Sequence, residues 1–245
     1  MPRLYINTYT QALKGRQVVI ACREGILRDH LDAILADLKF LTRQGIKTTL
    51  VHNMANRFAN QQHFRRLEAR LPETAIQRVP VDTDFYSHVL DHHTAAHKLI
   101  FLERKPLCDD AGRRINTLTT AAARDTLSSY GDLITNANFK GIMDRICRQI
   151  DAGDYDRVHI LPAGKHKIKH ELFTIEGSGT LIANNFSERF DPVRDAADVK
   201  MVLGILNLYK RKGYIKARSR RYVEANRENF YITRIDGIEV GCAEA

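Results

Sequence analysis

The sequence has few cysteines and no long apolar run, and both absences limit what the chain can be. Its 4 cysteines are scattered over 245 residues, without the paired spacing of a zinc site or the density of a disulfide framework, so we expect reduced thiols and no metal. No apolar run approaches the roughly 20 residues that cross a bilayer, and the first residues lack the apolar segment of a secretion signal. We therefore expect a cytoplasmic protein with no membrane partner.

The charge of the chain is strongly positive but is not concentrated in one place. Its 38 lysines and arginines outnumber its 29 acidic residues and give a formal net charge of +9. The densest basic cluster lies between Lys210 and Arg221, and the other basic residues are widely spread. Acidic metabolites account for this charge as well as RNA does, and we expect no nucleic-acid partner.

The first fifty or so residues predict a strand, a helix and a second strand. Val18 to Ile20 is an apolar run typical of a buried strand, and Ile46 to Val51 is another. Between them, apolar residues from Leu31 to Leu41 recur every three or four positions, which predicts a helix that Asp29 caps and Gly45 ends. This order favours parallel pairing with a right-handed crossover, the start of a three-layer α/β domain.

The most informative stretch of the sequence runs from Arg157 to Ile182. Val158 to Leu161 predicts a strand, His166 to Phe173 can form two helical turns, and the glycines near Gly177 let backbone amides approach a ligand or turn sharply into a further strand. The carboxylate of Glu171 beside such amides suits a guanidinium or ammonium ligand. The simpler interpretation is a helix that ends at Gly177 and leaves Glu171 in solvent.

This stretch resembles a known family. The order His-Ile-Leu, nine residues, Glu-Leu-Phe-Thr, two residues and Gly-Ser-Gly-Thr is similar to the end of the amino-acid-kinase domain in N-acetylglutamate synthases and arginine-inhibited acetylglutamate kinases, where the segment encloses the feedback inhibitor arginine. The resemblance implies that L-arginine is an effector and that His159, Glu171 and Gly177 bind it. The start of the chain agrees, because Tyr-Ile-Asn-Thr, a Val-Val-Ile strand and a Leu-Val-His strand match the same synthases.

The phosphate-binding loops of the active kinases in that family are missing here. Those kinases follow the first strand with Lys-x-Gly-Gly and the second with three glycines, which bind phosphates through the lysine charge and close amides. The corresponding segments of this chain are Ala21 to Glu24 and Asn53 to Ala55, whose side chains occupy the phosphate path. We expect no phosphoryl transfer, so a residual acetylglutamate kinase ranks third among the candidate functions.

Histidines are concentrated between Asp84 and His97. Asp84, His88 and His92 recur every four residues and share one face of a predicted helix. Such a face can hold a zinc ion, but the fold supplies no reason for a metal. We interpret the segment as a polar helix whose imidazoles face solvent.

After Ile182 the pattern changes to that of a second domain. Phe190 to Val193 predicts a strand, Asp195 precedes an amphipathic helix, and Arg218, Ser219 and Arg220 begin another. The residues from 230 to 243 predict a β-hairpin with an Asp-Gly turn at positions 236 and 237. This order looks like the first part of a GNAT-type acetyltransferase domain.

Two sequence patterns of the synthases recur in this second domain. Their pattern Gly-x-Leu-x-x-Arg-Ser-Arg is similar to the segment that starts at Gly213, and their Asp-Gly-x-x-x-Gly-Cys-Ala-Ala-Leu is similar to the final residues DGIEVGCAEA. The resemblance implies that Arg218 and Arg220 lie beside the substrate L-glutamate, whose carboxylates suit guanidinium groups. Ordinary surface charge at the start of a helix explains these two arginines equally well.

Acetyl-CoA is the cofactor that the resemblance implies, yet its binding loop is absent from this sequence. The relatives hold the pyrophosphate in a Gln/Arg-x-x-Gly-x-Gly/Ala loop at a helix N-terminus. The segment from Arg234 to Glu239 comes nearest to that pattern and fails at its last position. The chain is therefore either a fragment or has its partner half elsewhere, and no catalytic residue is assigned.

The sequence as a whole predicts an α/β protein of two domains. Residues 1–184 are expected to form a degenerate amino-acid-kinase-like domain of three layers with a mostly parallel central sheet, and residues 185–245 the N-terminal part of a GNAT-like α+β unit. The implied function is acetyl transfer from acetyl-CoA to the amino group of L-glutamate, in arginine biosynthesis. The alternative is a non-catalytic module that senses arginine or assembles subunits, and we expect a homo-oligomer paired through the kinase-like domain.

Overall fold

The structure is a computed structural model, and it describes residues 6–93, 96–109, 111–130, 137–174, 177–184, 188–211, 213–235 and 238–245. The chain divides into two units, Met1–Asn184 and Asn185–Ala245, which are called unit 1 and unit 2 below. No helix among the described residues is long and apolar enough to cross a membrane.

Unit 1 alternates strands with helices along most of its length. Its helices are α1 (Ile6–Leu13), α2 (Glu24–Arg43), α3 (Gln61–Arg70), α4 (Phe85–His92), α5 (Thr120–Tyr130), α6 (Ala137–Asp151) and α7 (Lys167–Phe173), with a 3-10 turn at Phe58–Asn60. Its strands are β1 (Gln17–Cys22), β2 (Lys47–His52), β3 (Ala75–Arg78), β4 (Lys98–Glu103), β5 (Thr117–Thr119), β6 (Arg157–Pro162) and β7 (Thr180–Ala183).

These strands form one sheet in the order β3-β2-β1-β4-β6-β7-β5. Neighbouring strands from β3 to β6 pair in parallel, β7 is antiparallel to β6, and β5 is parallel to β7. The predicted α/β class with a mostly parallel central sheet is confirmed. Because β1 lies between β2 and β4, the carboxyl ends of β1 and β4 flank the point where the strand order reverses, the usual crevice for ligands in such sheets.

Both faces of the sheet are covered, which gives unit 1 three layers. The central strands are buried on both sides, so successive residues of β1 enter different cores: Val18 packs with α1, α2, α3 and α7, whereas Val19 packs with α4, α5 and α6. Strands buried on both faces read as nearly continuous apolar runs. This explains why Val18 to Ile20 and Val158 to Leu161 were recognisable in the sequence.

Two features at the start of unit 1 differ from expectation. Helix α2 begins at Glu24, so the prediction that Asp29 caps it is wrong, although helical dihedral angles are interrupted at His30 (φ −124°, ψ 19°). The earlier start is stabilised by Asn53, whose Oδ1 accepts the Glu24 amide at 2.8 Å. Helix α1 was not predicted, and it packs on α7 through an edge contact between Tyr9 and Phe173.

Unit 2 is a small antiparallel sheet with helices. Its elements are β8 (Glu188–Pro192), α8 (Ala196–Arg211), α9 (Arg220–Ala225), a 3-10 turn at Arg227–Asn229, β9 (Phe230–Ile235) and β10 (Ile238–Glu244), with the strand order β10-β9-β8. Asp195 Oδ1 accepts two amides at the start of α8, and Ser219 Oγ accepts the Tyr222 amide at the start of α9. Both helix starts and the hairpin strands agree with the sequence patterns. The turn predicted at positions 236 and 237 lies outside the described residues.

Candidate functional site

The segment from β6 to β7 places His159 and Glu171 side by side in the interior of unit 1. His159 Nδ1 lies 2.7 Å from Glu171 Oε1, and the two side chains are 4% and 5% exposed. The other carboxylate oxygen accepts the backbone amides of Ser178 and Gly179, the latter at 3.0 Å. The interpretation that leaves Glu171 in solvent is therefore wrong.

Protonation of this pair follows from its burial. Burial would by itself raise the pKa of Glu171, but the hydrogen bond from His159 and those from the Ser178 and Gly179 amides outweigh it and hold that pKa at about 2. Burial lowers the pKa of His159, and the Glu171 contact opposes that change only in part. A neutral His159 thus donates its Nδ1–H to a charged Glu171, which leaves a lone pair on Nε2.

In the His159–Glu171 pair, the Nε2 atom of His159 is available to accept a hydrogen bond from a ligand. It is buried and has no hydrogen-bond partner within the part of the chain that the structure describes. Unsatisfied buried polar atoms are uncommon in folded proteins. An acceptor of this kind beside a buried negative charge suits an N–H donor such as a guanidinium or ammonium group.

Gly177 lies against the Glu171 carboxylate and has a backbone conformation that favours glycine. Its φ of +59° is in the left-handed region, and a Cβ at this position would lie 2.8 Å from Glu171 Oε2. Its amide donates to Thr174 Oγ1 at 3.1 Å. The structure therefore brings His159, Glu171 and Gly177 together as the sequence suggested, although the Glu171 oxygens are engaged by the chain itself. Arginine binding by these residues stays a prediction.

The lysines around α7 that the sequence places near Glu171 lie outside the buried pair. Lys165 is exposed, and Lys169 Nζ lies 4.3 Å from the ring centroid of Phe40, a cation–π contact. Neither ammonium group is buried with Glu171. The charges of Lys165 and Lys169 therefore do not fill the interior position beside His159.

Asp37 of α2 fixes the start of α7, a role that the sequence patterns did not reveal. Its side chain is 1% exposed, and its Oδ2 accepts the amides of Ile168 at 3.0 Å and Lys169 at 3.5 Å. His166, at the cap position of α7, has a left-handed φ of 62° and makes no side-chain cap. Burial raises the pKa of Asp37, against the effect of these amides. An acidic residue within the leucine-rich face of α2 was the available signal.

Glu24 is the first residue of α2 and lies close to the carboxyl end of β1. Its carboxylate accepts the Ala55 amide at 3.1 Å and Asn60 Nδ2 at 3.2 Å, and it also contacts Arg57. Burial would raise the pKa of Glu24, but these hydrogen bonds and the Arg57 charge hold it at about 2. Side chains and a negative charge therefore occupy this end of β1, and the absence of phosphoryl transfer stays a prediction.

The neighbouring end of β4 is also occupied by side chains. The Tyr86 hydroxyl donates to buried Glu103, and Arg23 Nη2 lies 3.9 Å from the same carboxylate. Burial raises the pKa of Tyr86 and raises that of the adjacent Cys22 thiol to about 12. The Tyr86 hydroxyl and the Cys22 thiol are therefore protonated at neutral pH, and neither resembles an activated nucleophile.

The histidines of α4 form no metal site among the described residues. The rings of His88 and His92 are stacked with centroids 3.9 Å apart. Across the described parts of the chain, no group of three or more histidine, cysteine, aspartate or glutamate side chains is arranged to hold a metal ion.

Unit 2 contains a cavity of about 310 Å³ beside Arg218. Its lining combines an apolar floor with charged groups at the rim: Leu206, Ile215, Lys216, Arg218, Phe230, Cys242, Ala243 and Glu244. Arg220 is absent from the described residues that line it, and its Nε donates to Glu224 at 2.7 Å. Of the two arginines singled out in the sequence, the structure brings only Arg218 to a cavity.

Comparisons with known proteins find relatives over part of the chain. No protein-family model matches the chain. An amino-acid acetyltransferase of Pseudomonas fluorescens (strain SBW25) is 30% identical over 148 residues, which are 59% of this chain and 33% of that protein. One of Pseudomonas syringae pv. syringae is 29% identical over 153 residues, 61% of this chain and 34% of that protein. The chain spans about a third of the length of the curated relatives that it matches.

Solved structures show the same fold. N-acetylglutamate synthase from Neisseria gonorrhoeae, complexed with coenzyme A and L-arginine, has a TM-score of 0.64 at 17% identity and covers 98% of this chain and 77% of its own. The same enzyme complexed with coenzyme A and N-acetyl-glutamate has a TM-score of 0.57. The resemblance to the N-acetylglutamate synthase family is confirmed.

The two candidate positions of this chain hold groups of different kinds. In unit 1, the charged oxygens of Glu171 are engaged by the chain and His159 Nε2 remains as the acceptor. In unit 2, Arg218 stands at the rim of an apolar cavity. The first position suits a cationic ligand and the second a carboxylate.

Proposed function

We propose that this chain contributes to an N-acetylglutamate-synthase-like activity, the transfer of an acetyl group from acetyl-CoA to the amino group of L-glutamate. Its curated relatives are named amino-acid acetyltransferases. The observation that carries the proposal is the cavity of unit 2, where the Arg218 guanidinium stands at the edge of an apolar floor. Such a site suits an amino acid whose carboxylate pairs with the charge while its methylene groups contact the floor.

The residues of this chain do not fit the pyrophosphate of acetyl-CoA. A pyrophosphate needs free backbone amides, as at a helix N-terminus. In the described part of unit 2, the first amides of α8 are taken by Asp195 and the Tyr222 amide of α9 by Ser219. We therefore propose that this chain supplies the amino-acid side of the reaction, and we derive no step through acetyl-CoA.

Binding of L-glutamate by the full chain tests the proposal. We expect Arg218→Gln to weaken glutamate binding by about tenfold or more, because it removes a charge-assisted hydrogen bond to a carboxylate. Arg220→Gln is the matched control, since Arg220 pairs with Glu224 outside the cavity, and we expect it to bind like the wild type. Calorimetric titration with millimolar L-glutamate measures all three proteins. Equal binding by the two variants, or no binding by the wild type, would refute the proposal.

Arginine binding by unit 1 is the second candidate function, and one observation favours it. His159 Nε2 is a buried acceptor with no partner among the described residues, and it lies on a ring whose other nitrogen holds a charged Glu171. A guanidinium carries five N–H donors and a positive charge. It can therefore donate a hydrogen bond to His159 Nε2 and balance the negative charge of Glu171. Subunit pairing through unit 1 stays a prediction.

The variant His159→Asn separates the two nitrogens of this histidine. The asparagine amide can still donate to Glu171 from the position of Nδ1, but it has no atom at the position of Nε2. We expect L-arginine binding to weaken by about tenfold or more, with little change in melting temperature. Calorimetry with L-arginine measures the effect, and L-citrulline, which has the same shape without the charge, serves as control ligand. Unchanged arginine binding in the variant, or no heat with the wild type, would remove this candidate.

A further inference from the structure

Glu244 forms an ion pair with Arg218 at the cavity in unit 2. Its Oε2 lies 3.4 Å from both Nε and Nη2 of Arg218, and its Oε1 accepts the Tyr222 hydroxyl at 2.5 Å. The Arg218 Cζ atom lies 5.2 Å from the centroid of the Tyr222 ring. Arg218, Tyr222 and Glu244 therefore contact one another in a closed triangle.

Glu244 contacts the Nε and Nη2 edge of the Arg218 guanidinium, and a ligand carboxylate would bind at the same edge. The Nε and Nη2 donors of an arginine point the same way and bind a carboxylate through two parallel hydrogen bonds. A ligand carboxylate at this edge competes with Glu244 for the same donors and is repelled by its charge. The carboxylate of Glu244 thus has the chemistry and the position of the group that the cavity is proposed to bind.

The Glu244 contact is weak enough for a ligand to displace. The side chains of Arg218 and Glu244 are 39% and 30% exposed, and ion pairs in water contribute little because solvent screens them. Lys216 also lines the cavity. The three charged groups at the rim therefore sum to a single positive charge, which becomes two when the Glu244 carboxylate is removed or moves away.

We propose that Glu244 is an internal competitor for the ligand carboxylate and sets the affinity of unit 2 for a dicarboxylic amino acid. This inference rests on the proposed function of Arg218. A ligand displaces Glu244 from Arg218 when it binds.

The variant Glu244→Ala tests the competition directly. We expect it to bind L-glutamate about two- to fivefold more tightly than the wild type, the effect of removing one exposed ion pair. Glu224→Ala is the matched control, because it removes the same charge from an exposed arginine contact outside the cavity, and we expect it to bind like the wild type. The NMR signal of the Arg218 Nε–H, assigned by its loss in Arg218→Lys, should shift on glutamate addition.

The outcomes separate this inference from the proposed function. If Glu244→Ala binds glutamate like the wild type while Arg218→Gln loses it, Glu244 does not compete and the proposed function stands. If both acid-to-alanine variants bind more tightly by the same factor, the effect is one of net charge and the inference is overturned. If no protein in the set binds glutamate, including Glu244→Ala, the proposed function and this inference both fail.

Discussion

Replacing Glu171 by alanine is expected to lower the free energy of unfolding of unit 1 by about 3 to 5 kcal/mol, the usual cost of breaking a buried charged contact. The carboxylate accepts three hydrogen bonds, from His159 Nδ1 and from the amides of Ser178 and Gly179. Alanine would leave all three donors buried without an acceptor, and each unsatisfied donor adds a desolvation cost. The loss belongs to the fold and is present without any ligand.

Urea unfolding followed by circular dichroism measures this loss, since the chain has no tryptophan for fluorescence. The control Glu171→Gln keeps the shape of the side chain and one oxygen acceptor, so it should lose less stability than the alanine variant. A Glu171→Ala protein within about 1 kcal/mol of the wild type would contradict the expectation, because that is the range of ordinary substitutions.

The same carboxylate makes stability depend on pH in a known direction. The pKa of Glu171 falls from 4.5 to about 2 on folding, so its contribution is complete above pH 4.5 and is lost as the pH falls toward 2. His159 acts in the same direction at higher pH, because its lowered pKa makes protonation favour the unfolded chain below pH 6.5. Glu24 adds to the acid loss in the wild type. The difference between the wild type and Glu171→Gln isolates the Glu171 part.

Gly179→Ala is expected to be as damaging, for a steric reason. A Cβ at Gly179 would lie 2.3 Å from the carbonyl oxygen of Ile160 and 2.4 Å and 2.9 Å from two atoms of Leu161. Backbone atoms of β6 cannot move aside without breaking the sheet, so we expect a loss at or above the upper end of the roughly 1–3 kcal/mol that overpacking costs. The variant should also lose any ligand that needs His159.

Thermal melting compares this variant with Gly141→Ala. Gly141 lies inside α6, and a Cβ there would meet nothing within 4 Å, so alanine should raise stability by about 0.5–1 kcal/mol through its better helix propensity. The two alanine substitutions are thus expected to change the melting temperature in opposite directions. A Gly179→Ala protein that melts with the wild type would show that β6 and the glycine loop are further apart than described.

Whether an element could be predicted from the sequence depends on how far apart along the chain the residues that stabilise it lie. Strand β1, the apolar face of α2 and the β9–β10 strands follow from runs or repeats of apolar residues, which depend only on neighbours along the chain. The true start of α2 depends on Asn53, which lies 29 residues from Glu24. Asp37 contacts an amide 131 residues away. Contacts of that range do not identify their partners in the sequence. The position of Asp37 within an apolar helix face indicates a buried acid, but not which amides it contacts.

In the candidate site, too, local sequence patterns were recognisable and long-range contacts were not. The spacing of His159 and Glu171 was recognisable because it resembles a known family, and the structure places the two side chains 2.7 Å apart. That the chain itself uses both Glu171 oxygens was not predictable, since it depends on the loop conformation that Gly177 adopts at φ +59°. Glu244 was missed because its partner Arg218 is 26 residues away and approaches only after β10 has paired with β9.

The contact of Asp37 with α7 has a consequence for how unit 1 moves. A helix of seven residues is too short to be stable alone, because forming the first turn is costly and few further residues share that cost. Helix α7 is therefore ordered by its contacts with the rest of unit 1, which include the Asp37 carboxylate at the amides of Ile168 and Lys169 and the burial of Ile168, Leu172 and Phe173. We therefore expect α2 and α7, which are far apart in the sequence, to open together in local unfolding, and Glu171 on α7 to be exposed to water when they do.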